Sequence, residues 1–150
     1  MNRRGFTIIE LLVVLSIMSI LAAFAMPRYH RYRQDAIAAQ AVGDFKVVQS
    51  AAYTYNGETD RWPATSGIGV TPTDMVEFLP GGFSFDRGEY RMRWISFSGS
   101  FPTGSLDLLV LVYYPDSPEL GAKIAHQLRK GYRVLGTGRV VFALMLYQFG

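Results

Sequence analysis

A single carboxylate, Glu10, stands near the start of the longest apolar run in the chain. Residues 6–26 contain no Lys, Arg or Pro, and Glu10 is their only charged side chain. A charge at the centre of a membrane-crossing helix costs roughly 2.5–3.5 kcal/mol, so Glu10 needs a partner. A cut between Gly5 and Phe6 would create one. The new α-amine would lie four residues before Glu10, on the same face of a helix. Paired with an ammonium, the carboxylate keeps its charge and part of the desolvation cost is offset. Unpaired in lipid, it would take up a proton. The chemistry on offer is an ion pair made by proteolysis.

The other chemistry-bearing residues are scattered. There are two histidines. His30 stands among Arg28, Arg31 and Arg33, and His126 lies on a helix near the C-terminus with Ala122 and Lys130 one turn away on either side. No serine, histidine and acid share a spacing that fixes a catalytic triad. Glu58 with Asp60, and Asp86 with Glu89, are acidic pairs, but neither has the dense ligand spacing of a calcium loop. Gly136-Thr137-Gly138 follows a strand and precedes another strand, whereas a phosphate cradle opens a helix. These residues imply no enzyme, no cofactor and no metal.

The elements that must position Glu10 begin with its own helix. The 21 residues 6–26 would span about 31 Å, near the thickness of a bilayer's hydrocarbon core. Thr7, Ser16 and Ser19 can return their hydroxyls to helix carbonyls, which makes them tolerable in lipid. Pro27 lacks an N–H and should kink or loosen the helix. Beyond it, Ile37, Ala41, Phe45, Val48, Ala52 and Tyr55 recur at spacings of three and four, an amphipathic helical stripe. Gln34, Asp35, Gln40, Asp44 and Lys46 are assigned to its other faces. Asn56-Gly57 should stop the helix, with Gly57 as a left-handed cap.

Residues 56–74 read as a loop rich in Gly, Pro, Ser and Thr. Asp74 is a candidate cap for a short helix over residues 75–79. Strands follow at residues 83–86 and 89–97, around an Asp86-Arg87-Gly88 turn. Tyr90, Met92 and Trp94 alternate with Glu89, Arg91 and Arg93, the period of a half-buried strand. Residues 106–114 read as a central apolar strand. Ser117-Pro118-Glu119 opens a helix whose buried face is Leu120, Ile124 and Leu128. Residues 132–135 and 139–149 form a last hairpin. The fold class is α+β: a long N-terminal helix, first transmembrane and then amphipathic, on a small antiparallel sheet of about four or five strands.

Charge placement limits the partners. The sequence pI is about 9.3, yet from residue 56 onward nine Lys or Arg face nine Asp or Glu. The basic excess belongs to Arg3, Arg4, Arg28, Arg31, Arg33 and Lys46. A neutral C-terminal part carries no general footprint for nucleic acid, although Arg91 with Arg93 and Arg129 with Lys130 are local basic pairs. The chain has no cysteine, which rules out a disulfide framework and a thiolate metal site.

Gly5-Phe6-Thr7-x-x-Glu10-Leu11, with Arg3-Arg4 before it and the apolar run after it, resembles the leader of the type IV pilins and the type II secretion pseudopilins. Pro27 matches the usual proline of that family, and Tyr55-Asn56-Gly57 followed by Trp62-Pro63 resembles its Gly-x-(Tyr/Trp)-Pro region. The resemblance implies four parts: a leader at residues 1–5, a transmembrane helix at 6–27, an amphipathic half at 28–55 and a globular α+β head at 56–150. It also implies a cut between Gly5 and Phe6 by a membrane prepilin peptidase, with N-methylation of Phe6. In that family the glutamate meets the Phe amine of a neighbouring subunit, which assigns Phe6 and Glu10 to assembly. The implied partners are other pilin or pseudopilin subunits, the peptidase, membrane lipid, and an assembly platform protein with its ATPase. The implied location is a bacterial inner membrane, N-terminus cytoplasmic and head periplasmic, followed by a periplasmic or surface filament. Many surface pilins close a C-terminal loop with a disulfide; its absence favours a pseudopilin or a minor pilin.

Two readings from other classes fit parts of the chain. A secretory signal would use Arg3-Arg4, the apolar run and Ala23-Phe24-Ala25 as a cut site, releasing a soluble domain that begins at Met26. Glu10 and the length of the run count against it. A single-pass membrane-anchored binding protein would keep its start and enter no filament.

Overall fold

The computed structural model describes residues 6–101, 104–136 and 138–148. Arg3, Arg4, Gly5 and Thr137 lie outside them. The chain divides into two compact units, one up to Gln34 and one from Asp35 onward. A helix, α1, covers Ile8–Thr59.

In the first unit α1 is exposed along its length, from Ile9 at 69% to Phe24 at 71%. An exposed apolar helix of this kind suits an apolar environment rather than water. Its 18-residue window of highest hydropathy has no part buried. Ser16 and Ser19 return their hydroxyls to the carbonyls of Leu12 and Leu15, each at 2.8 Å, as expected. The helix assignment continues through Pro27. Proline there leaves the Ala23 carbonyl without its usual N–H donor, but the helix neither ends nor restarts.

In the second unit the rest of α1 meets the sheet. Ala38, Ala41, Phe45, Val48, Ala51 and Ala52 are buried, close to the expected stripe. The helix runs past Asn56-Gly57 to Thr59, four residues beyond the expected stop. The left-handed residue is Asp60, at φ 54°, and its N–H donates to the Asn56 carbonyl at 2.9 Å. Aspartate is among the few non-glycine residues that adopt this conformation readily. Edge-on contacts of Tyr53 with Trp62 and of Tyr55 with Phe78, at centroid distances of 5.6 and 5.8 Å, hold the last turns. Packing thus outweighs the roughly 1 kcal/mol that glycine costs inside a helix.

Four strands form one antiparallel sheet in the order β1-β2-β4-β3: β1 Tyr90–Phe101, β2 Gly104–Pro115, β3 Arg133–Leu135 and β4 Val141–Gln148. β2 is central, paired with β1 on one side and β4 on the other. Tyr90, Met92, Trp94, Leu111, Tyr113, Val141 and Ala143 point to the helix side and are buried. On the opposite face Phe97 is 60%, Leu135 62% and Phe142 38% exposed.

The expected strand at residues 83–86 reduces to one bridge, Asp86 with Arg91. The long connection after α1 takes its place at the sheet edge. Ser66 and Gly69 donate their N–H groups to the carbonyls of Trp94 and Met92 at 2.9 and 2.8 Å. The segment therefore covers the open side of β1, where an uncovered edge would invite pairing with another chain. The short helix is of 3-10 type over Thr73–Phe78, with no side-chain cap. Asp74 instead accepts the Ala64 N–H at 2.9 Å, which ties down the edge segment.

The second α-helix, α2, spans Pro118–Leu128, and the Ser117 side chain accepts from the Leu120 N–H. Leu120, Ile124 and Leu128 are buried. At Gly121 an added Cβ would lie 1.6 Å from the Gly138 carbonyl oxygen. Only glycine lets the β3–β4 turn rest directly on this helix.

Candidate functional site

Thr7 precedes the first helical residue, and its hydroxyl accepts the Glu10 N–H at 3.3 Å. The Glu10 carboxylate reaches back and accepts both the Thr7 N–H and the Thr7 hydroxyl at 2.8 Å. This is a capping box: the residue before the helix and the third residue inside it satisfy each other's free backbone donors. The carboxylate also sits at the positive end of the helix dipole. Sequence reasoning assigned Thr7 to back-bonding and missed its role as cap. The signal was present, since Thr-x-x-Glu before an apolar run is the sequence form of the motif.

The arrangement bears on what Glu10 can do. Within one chain its charge is held by one N–H and one hydroxyl, both at the very start of the helix. Phe6, at 81% exposure, lies immediately before this box. Gly5, the other half of the expected cut, lies outside the described residues.

A second polar cluster fixes α1 to the sheet. Asp44, expected on an outer face, is 6% exposed. Its carboxylate accepts from Arg87 Nε and Nη2, each at 2.8 Å, and from the Tyr90 hydroxyl at 2.6 Å. Arg87 also lies over the Phe83 ring, 4.4 Å from its centroid. Nearby, the Tyr113 hydroxyl donates to the Ala41 carbonyl at 2.8 Å. Burial, then the hydrogen bond to Asp44, pushes the Tyr90 phenol far above its ordinary value. Burial does the same to Tyr113. Position 44 falls between 41, 45 and 48 on the helix wheel, so its place on the packed face was legible. Its charge obscured it.

The remaining candidates stay apart. His30 and His126 are both exposed. Asp60 lines a polar cleft with Asn56, Arg61, Trp62, Ser96 and Asp107, where Trp62 Nε1 donates to Asp107 at 2.7 Å. Asp86 accepts the Gly88 N–H at 2.9 Å, as the side chain of a turn. Among the described residues no three His, Asp or Glu side chains could share a metal ion. Tyr90, Trp94 and Tyr113 are core residues.

Residues 1–26 match the prokaryotic N-terminal methylation motif. Over 76 residues the chain is 34% identical to the type IV major pilin protein PilE1 of Neisseria gonorrhoeae, covering 49% of this chain and 46% of that protein. It is 39% identical over 95 residues to the type IV major fimbrial protein FimA of Dichelobacter nodosus, covering 62% and 52%. The type II secretion system core protein G of Pectobacterium carotovorum subsp. carotovorum is 33% identical over 64 residues, covering 43% and 41%. The chain spans about half the length of the relatives it matches. No solved structure gives a significant match. The chain is similar to the type IV pilins and pseudopilins over about half its length. Its N-terminal helix is long and apolar enough to cross a membrane.

Proposed function

We propose that the protein is a filament subunit, either a type II secretion pseudopilin or a minor type IV pilin, stored in the bacterial inner membrane and assembled through α1. The leader is cut between Gly5 and Phe6, and Phe6 is N-methylated. The head faces the periplasm and later the outside of the filament. Pro27 loosens α1 so that the helix can adjust in a bundle.

The observation that carries this reading is Glu10 in its capping box at the first turn of an unburied apolar helix. Before assembly the box satisfies the carboxylate within the chain. In a bundle, the Phe6 ammonium of a neighbour offers a full charge in place of a hydroxyl and an amide. Ion pairing in low dielectric is strong when geometry is right and costly when it is not, so only the correct helix stagger favours the exchange. Glu10 thereby checks register.

Glu10→Ala tests this. The variant should insert and be cut normally but fail to enter filaments. Glu10→Gln, which keeps the shape and loses the charge, should fail likewise. Normal incorporation of either would remove the register role.

A further inference from the structure

The apolar run ends in Pro27-Arg28-Tyr29-His30-Arg31-Tyr32-Arg33, and residues 11–34 contain no Asp or Glu. Three guanidinium groups thus share seven residues with no carboxylate among them. Arg28 lies 18 residues after Glu10, about 27 Å along the helix axis, near the hydrocarbon thickness of a bilayer. It therefore comes level with the headgroups on the side opposite Glu10.

The helix carries a shallow, mostly apolar patch at this point. Leu21, Ala25, Arg28 and Tyr32 follow one line along it, flanked by Phe24 and Tyr29, and together they line a shallow groove. Tyr29 and Tyr32 are 66% and 72% exposed. His30 packs edge-on against Tyr29 at 6.2 Å. Arg31 and Arg33 already interact within the chain, whereas Arg28 has no side-chain partner among the described residues.

We infer that this groove binds one anionic phospholipid, with its phosphate on Arg28 and the first part of an acyl chain along Leu21, Phe24 and Ala25. A guanidinium matches a phosphate with two parallel hydrogen bonds. The two phenols present ring faces to lipid and hydroxyls to the glycerol level, the habit of tyrosine at membrane interfaces. The charge of Arg28 favours a headgroup with net negative charge over a zwitterionic one. The inference rests on α1 lying in a membrane, not on filament assembly.

The test is full-length protein reconstituted into phosphatidylcholine vesicles, with and without phosphatidylglycerol, and read by native mass spectrometry of retained lipid. Wild type should retain phosphatidylglycerol above its bulk proportion. Arg28→Gln should lower that enrichment roughly fivefold, Arg28→Lys should lower it less, and Lys46→Gln, an exposed cation on the same helix, should leave it unchanged. Equal enrichment in wild type and Arg28→Gln, or bulk proportions in wild type, would overturn the site. Retention of added inorganic phosphate in place of lipid would make it a soluble-anion site and overturn the lipid assignment. Failure of wild type to float with neutral vesicles would remove the membrane span, and the groove's ligand with it.

Discussion

Asp44 on α1 and Arg87 on the turn before β1 face each other through two hydrogen bonds of 2.8 Å, across 43 residues of sequence. The side chains are only 9% and 23% exposed, so the pair is shielded from screening far better than a surface salt bridge. Lys123 and Asp35, at 2.6 Å but 29% and 55% exposed, are the contrasting pair between α2 and α1. Removing one member of a buried pair leaves the other's charge unmatched. Arg87→Ala should therefore cost about 3 kcal/mol in denaturant unfolding of the full chain in mild detergent. Replacing both residues should cost clearly less than the sum of the single changes. Lys123→Ala should cost under about 1 kcal/mol. Additive costs at Asp44 and Arg87 would show that the two do not act as a unit.

Tyr90 completes that cluster and gives it a pH dependence. Its folded-state value is raised by burial first and by Asp44 second. A raised value favours the neutral phenol in the folded state. The stabilisation is fully present below the unfolded value of about 10 and is lost as pH rises above it. Tyr113 acts in the same direction. Stability should stay level from neutral pH to about 10, then fall by about 1.4 kcal/mol per pH unit for each of the two phenols. Tyr90→Phe should lower stability at neutral pH by about 1 kcal/mol and halve the alkaline slope. An unchanged slope in that variant would place the titration elsewhere.

Gly121 offers a steric check on how α2 meets the β3–β4 turn. A methyl there would overlap the Gly138 carbonyl, and backbone cannot move as the end of a side chain can. Gly121→Ala should destabilise by about 1–3 kcal/mol, although alanine is the better helix former. A gain in stability would mean that the turn does not rest on the helix.

Much of this architecture was legible from local pattern. The stripe through Ala41, Phe45 and Val48, the alternation of Tyr90, Met92 and Trp94, the Ser117 cap and the final hairpin all followed from spacing. What escaped was non-local or masked by charge. Asp44 read as a surface residue because its partners, Arg87 and Tyr90, are more than 40 residues away. Asn56-Gly57 read as a stop because the ring contacts of Tyr53 and Tyr55 cannot be seen in one segment. The connection after α1 read as a free loop because edge covering depends on β1 being there to cover. At the N-terminus the apolar run and Glu10 were plain, while the Thr7 cap was overlooked despite a complete motif.

The Thr7 cap separates two roles at the start of α1. Thr7→Val removes the hydroxyl but leaves Glu10 and the Phe6 backbone in place. Loss of such a cap costs about 1 kcal/mol, so helix signal at the N-terminus of the span should fray modestly in amide exchange. Glu10→Ala should fray it as well. Only Glu10→Ala should abolish assembly, because the ion pair with a neighbour needs the carboxylate and not the hydroxyl. Equal assembly defects in the two variants would make the cap itself the determinant.

The central claim is that Phe6 becomes the first residue and supplies the ammonium that Glu10 meets. Mass spectrometry of the N-terminal peptide, taken from the native cell membrane, tests it directly. The account predicts a peptide that begins with N-methylated Phe6. A chain beginning at Met26 would mean a signal peptide and an exported soluble domain, and an intact Met1 would mean an uncut anchor. Either result would contradict the filament reading.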